Sequence, residues 1–257
     1  MVKPLSLILC LILSFSLQAK DKDRVISMRS DVWCPYACEP TSDHPGFMVE
    51  IAREVFKKKG YTIDYNVMNW ARVLSDVKNG EYDAVVGASR TDVKGFVIPQ
   101  VPTGILVNYF WALKDSKWSY KDAGSLDYVG VGVVNDYSYG DEIDKLIKKK
   151  HKSIKEVSGE SPLLRLIQMT ETGRLMAFVE NPLVLDYNMK KLNKDKSIFK
   201  IVSKNLANDP DLFIAFSPAN PKSKEYAKIL DEGMEELRKS GKLKEILLRY
   251  GLSDWVE

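Results

Sequence analysis

Apolar and polar positions follow two rhythms along this chain, and the switches between them mark its elements. "VISM" opens a strand. "GFMVEIAREVFKKKG" then sets Met48, Ile51, Ala52, Val55 and Phe56 on one helical stripe that stops at Gly60. "YTIDYNVM" alternates Tyr61, Ile63, Tyr65 and Val67 with polar neighbours, which is strand spacing. "WARVLSDVKNG" returns to helical spacing through Trp70, Val73, Leu74 and Val77, and "DAVVGA" reads as a buried strand. This β-α-β-α-β order predicts a three-layer α/β unit with ligands at the carboxyl ends of its strands.

A second unit follows the polar stretch "KDSKWSYKDAGS". Its strand "YVGVGVV" leads to the helix "GDEIDKLIKKK", acidic first and basic last, and then to "SPLLRLIQMTETG", with Pro162 in the first turn. "LMAFV", "PLVLDYNMKKL" and "IFKIVS" continue as strand, helix and strand. After "KNLANDP" come the strand "DLFIAFS" and a helical region from Lys222 to about Tyr250, interrupted near "KSGK". Two α/β units with crossings near 113–118 and 205–211 predict two lobes around a cleft. The first lobe is expected over 20–112 plus 213–257, and the second over 118–206.

The amino terminus changes the picture of where this happens. A basic start, the apolar run "LSLILCLILSFSL" and a small residue, Ala19, form the three-part pattern of a secretory signal peptide over 1–19. The run falls short of the roughly 20 residues that cross a bilayer; a buried helix or uncleaved anchor is the alternative. Cys10 lies inside it and leaves with the leader, so Cys34 and Cys38 are the mature cysteines. In an exported chain this pair favours a disulfide, which would staple the short loop "CPYAC". A metal site lacks partners, because His44 and His151 pair neither with each other nor with the cysteines; a redox pair would prefer two intervening residues. Free thiols are the remaining alternative.

Apolar content of 45%, charge of 28% and a net charge of +3 are ordinary for a globular protein. The "KKK" clusters at 57–59 and 148–150 close predicted helices, where they complement the dipole, so no nucleic-acid partner is implied. No second apolar stretch approaches membrane length. No paired carboxylates or nucleophile–base motif point to catalysis, and no cofactor or metal is implied.

The blocks "WCPY", "GFMVEIAREVFKKKGY", "NWARVLSDVKNGEYDAVVGASRTD", "VGVGVVNDYSYGDEI" and "SPANPKSKEYAKILDEGMEELRKSGKLKEILLRYGLSDW" resemble the family 3 periplasmic solute-binding proteins, the polar amino-acid receptors of ABC importers. The resemblance covers nearly the whole mature chain. It implies the type II periplasmic-binding-protein fold: two three-layer α/β lobes joined by a two-crossing hinge, closing on a small polar solute. By position, the family's two ligand-contacting aromatics fall on Trp33 and Trp70; the alternative for each is a core or surface ring. The anion site after the third strand falls on "GASRTDVKG", with Gly87, Ser89 and Thr91. Its arginine position holds Lys94, a point charge without a bidentate fork, and Arg90 or Arg72 could substitute. In the second lobe, "NDYSYG" offers Tyr137, Ser138 and Tyr139 at a helix start suited to a carboxylate or hydroxyl. The ligand-amine acceptor falls on Asn181, with Glu180 adjacent.

The resemblance therefore implies a non-catalytic, monomeric periplasmic receptor delivering its solute to an ABC permease. A sensing subunit docking on a membrane signalling receptor is the second reading. A dehydratase-type enzyme on the same scaffold, using Glu180 or Glu160, is the third.

Overall fold

The computed structural model describes residues 24–159 and 161–256. The segment 1–19 expected to be a signal peptide, with Cys10, and Glu160 lie outside the described residues. Two five-stranded mixed sheets carry the fold. The first contains β1 (Val25–Ser30), β2 (Thr62–Val67), β3 (Ala84–Ser89), β4 (Gly104–Ile105) and β10 (Asp211–Phe216), in the order β2-β1-β3-β10-β4. The second contains β5 (Tyr109–Leu113), β6 (Val131–Val134), β7 (Ile154–Val157), β8 (Ala177–Glu180) and β9 (Phe199–Ile201), in the order β7-β6-β8-β5-β9. In each, parallel βαβ pairs are joined by one antiparallel strand brought from elsewhere in the chain. β10 runs antiparallel to β3, and β5 antiparallel to β8.

The helices follow the predicted stripes. α1 (Phe47–Lys58) buries Met48, Ile51, Ala52, Val55 and Phe56, and α2 (Trp70–Lys78) buries Trp70, Val73 and Val77. α3 (Asp141–Lys148), α4 (Pro162–Glu171) and α5 (Pro182–Lys191) belong to the second unit. The C-terminal helical region is interrupted at the expected "KSGK", giving α6 (Ser223–Lys239) and α7 (Lys242–Leu248), with Gly241 at a φ of 76° between them. The tail after α7 returns to α1, where the Tyr250 hydroxyl donates to Glu50 at 2.6 Å and accepts the Gly46 N–H at 3.0 Å.

One boundary needs correction. The segment at 109–112, expected in the first lobe, forms β5 and pairs with β8 and β9 in the second sheet. Phe110 and Ala112 are fully buried there. The first crossing is thus 106–108, not 113–118, and the second runs through 202–210. The crossings are tied together: Leu106 N–H donates to the Pro210 carbonyl, and Leu206 N–H to the Asn108 carbonyl at 2.9 Å.

Candidate functional site

Between the sheets lies a narrow cavity of about 40 Å³ walled by both units. Asp31 and Trp33 reach it after β1, Trp70 from the first residue of α2, Gly87 from β3 and Asp92 from the loop beyond. Tyr137, Ser138 and Tyr139 reach it after β6, and Glu180 from the last residue of β8. Leu106 and Asn108 contribute from the first crossing and Leu212 from β10.

Local chemistry sets each wall. Cys34 and Cys38 are disulfide-bonded, with Cα atoms 4.7 Å apart. Beside this staple Trp33 and Ala37 bridge each other's backbones, and the Trp33 ring stacks on Tyr36 at 4.2 Å and 16°. The loop also caps α1. Gly46 brings no side-chain cap, and the Phe47 and Met48 N–H groups donate to the Pro35 and Tyr36 carbonyls instead. Gly87 sits where the β3–β10 register slips, with Val86 facing Ile214 and Ala88 facing Phe213, so it is the extra residue of a bulge. Its φ of 89° favours glycine, and its Cα face lies against the Trp33 ring. Trp70 is both wall and core: it is 7% exposed and packs with Val73, Val77, Val85 and Val93.

The cavity is acidic. Burial, above all, pushes Glu180 up to about 8, aided by the charge of Asp31 and opposed by the Asn181 N–H donating at 2.7 Å. The Trp33 indole N–H also favours the Glu180 carboxylate, although it is buried without a hydrogen bond of ordinary geometry. Burial likewise raises Asp31 to about 6, against the lowering effect of the Tyr137 hydroxyl, which donates to it from the other unit. Asp92 is raised by burial and by Asp144, while Ser89 lowers it. Tyr137 and Tyr139 are held well above the ordinary phenol range, first by burial.

Of the expected site residues, the structure brings together Trp33, Trp70, Gly87, Tyr137, Ser138, Tyr139 and Glu180. Ser89 stands just behind, bonded to Asp92. Thr91 and Lys94 are exposed on the following turn and do not line the cavity. Arg72 points outward to Asp76, and Arg90 pairs with Asp209 and Asp211 over the Phe213 ring. None of these cations therefore stands at the cavity wall. Asn181 also changes role. Its Oδ1 accepts from Leu183 N–H as the cap of α5, its Nδ2 donates to Tyr36 at 3.0 Å, and the cavity-facing group is Glu180. Asp31 and Asp92 were missed. Their only sequence signal is position, two residues from Trp33 and three from Ser89.

The match to a known family extends over residues 26–253. The chain belongs to the bacterial extracellular solute-binding proteins, family 3. Over 224 residues it is 22% identical to a protein of Bacillus subtilis (strain 168) described as "Probable amino-acid-binding protein YxeM", covering 84% of this chain and 79% of the relative. A mutant of ArgBP from T. maritima superposes with a TM-score of 0.71 at 16% identity, covering 91% of this chain and 98% of that one. An ancestral amino-acid-binding protein, AncCDT-1, a precursor of cyclohexadienyl dehydratase, gives 0.68 at 17% identity over 91% and 99%. These likenesses show the fold, that of type II periplasmic binding proteins.

Proposed function

We propose that this receptor captures a small polar solute, an amino acid or a related carboxylate or amine, by closing two lobes over it. One lobe is built on the first sheet, including the returning β10 and the C-terminal helices; the other is built on the second. The observation that carries the reading is a cavity walled from both sides and bridged by hydrogen bonds. Tyr137 donates to Asp31, and Asn181 donates to Tyr36, which itself donates to the Ile105 carbonyl at 2.8 Å. Contacts made from both lobes at once favour the closed form, which is how a solute shifts a hinge equilibrium. The names of the relatives, amino-acid-binding and ArgBP, support a solute of that size. In this reading the leader 1–19 directs the protein to the periplasm. There it works as a monomer and presents its closed form to an ABC permease, or to a membrane receptor.

The test is a solute panel read by thermal midpoint and by small-angle scattering. A solute at 100 times its dissociation constant adds about 2.7 kcal/mol of stability, and closure shrinks the radius of gyration. A panel in which nothing raises the midpoint or compacts the protein sinks the reading. A dehydratase-type reading draws on one observation, the buried Glu180 raised to about 8, a value suited to a general acid. Product formation from a bound solute, lost in Glu180→Gln, would favour it over capture alone.

A further inference from the structure

Among the described residues, three carboxyl groups, Asp31, Asp92 and Glu180, line the cavity, and no lysine, arginine or histidine does. In the two turns expected to hold a ligand carboxylate, the serine hydroxyls and the N–H groups beside them are engaged by the protein. After β3, the Ser89 N–H and hydroxyl both donate to Asp92, at 2.9 and 2.6 Å. Before α3, the Ser138 hydroxyl donates to Asp144 at 2.5 Å, and the Tyr139 N–H donates to its other oxygen at 2.8 Å. Each turn expected to hold an anion therefore holds an aspartate of this chain. A ligand carboxylate entering there would meet like charge and find its donors taken.

The rest of the wall suits the opposite charge. Two indoles and two phenols border the same space, and aromatic faces attract ammonium groups within about 6 Å. A metal cation fits less well, because among the described residues no three His, Cys, Asp or Glu side chains converge as ligands. Resting on the capture reading above, we infer that the ligand is a small organic cation without a carboxylate. It is held among Asp31, Asp92, Glu180, Trp33, Trp70 and Tyr137.

The same arrangement explains how such a ligand closes the cleft. Asp31 and Asp92 belong to the first unit, Glu180 and Asp144 to the second. Asp31 disfavours ionisation of Glu180, and Asp144 that of Asp92, each acting after burial as the larger cause. Ionised carboxylates on facing lobes repel, so closure of the empty cleft is opposed. A cation seated between them turns the repulsion into two attractions. An anionic or carboxylate-bearing solute gains no such differential.

Calorimetric titration of the mature protein with matched pairs tests this: agmatine against arginine, cadaverine against lysine, and choline against glycine betaine. In any pair that binds, the member without the carboxylate should bind at least about tenfold tighter. Glu180→Gln should weaken that member by about tenfold while keeping the far-ultraviolet spectrum and a cooperative melt. An amino acid or betaine that binds as tightly as its partner overturns the inference. So does unchanged affinity in a folded Glu180→Gln variant, or no binding by any of these compounds at millimolar concentration. The two readings fail separately. If amino acids bind and compact the protein, capture stands and the charge class falls; if no solute of any class compacts it, both fall.

Discussion

Replacing Glu180 with glutamine should change how the stability of the ligand-free protein depends on pH. An ordinary glutamate titrates near 4.5, whereas in the closed cavity Glu180 is held up to about 8. The groups around it are Asp31, Tyr137 and Tyr139, with the Asn181 N–H and the Trp33 indole acting in the opposite sense. Between these two values the folded protein keeps a proton that the unfolded chain has released. The contribution of Glu180 to stability is therefore greatest below pH 4.5 and falls as pH rises through the window. At about 1.4 kcal/mol per pH unit, the whole window corresponds to about 5 kcal/mol. Opening of the cleft rehydrates the carboxylate, so the measured loss should be smaller, about 1–3 kcal/mol.

Urea denaturation of wild type and Glu180→Gln at pH 4.5, 6 and 8.5 measures this as the difference between the two proteins. Subtraction removes most of what other groups contribute, including Asp31, which shifts in the same direction. Wild type should lose stability relative to the variant as pH rises, and its radius of gyration should grow more than that of the variant. A difference that is independent of pH, or that grows in favour of wild type, would refute the reasoning.

Tyr36→Phe removes the hydroxyl that joins Asn181 to the first unit; solute affinity should fall by about 1–3 kcal/mol, read by calorimetry, with little change in secondary structure. Trp70→Ala should reduce both binding and folding, the latter by about 3–5 kcal/mol, because its ring is shared between wall and core; a loss of binding with the midpoint unmoved would contradict the shared role. Gly87→Ala places a side chain at a φ of 89° and should destabilise the protein by about 1–2 kcal/mol in urea. Thiol titration of denatured, unreduced mature protein should find almost no free sulfhydryl, whereas two reactive thiols would contradict the Cys34–Cys38 bond.

The elements of the first unit were legible in the chain itself. The stripe from Met48 to Phe56 and the alternation from Tyr61 to Val67 are local periodicities, and a single helix or strand needs nothing more. The aromatic walls were legible too, because Trp33 and Trp70 follow a strand and open a helix at positions the family resemblance marks. Strand membership was not. "NYFWAL" follows the first unit in sequence, but its partners Val179 and Lys200 lie far along the chain, and register is set by pairing rather than by periodicity.

The charge of the site belongs to the tertiary structure alone. From the sequence, Lys94, Arg72 and Arg90 all compete for an acidic ligand group, since a long side chain can reach in many directions. Folding sends Arg72 to Asp76 and Arg90 to Asp209 and Asp211, and leaves Lys94 on an exposed turn. Asn181 and Glu180 are neighbours in sequence and divide their roles by a single residue of register. The last residue of β8 faces the cavity, and the next caps α5. Asp31 and Asp92 carry no motif, and they become part of the site only because two sheets bring their strand ends to the same gap. Sequence determined the rings and the elements with a clear local rhythm; the packing of one unit against the other decided that those rings share a cavity with three carboxyl groups.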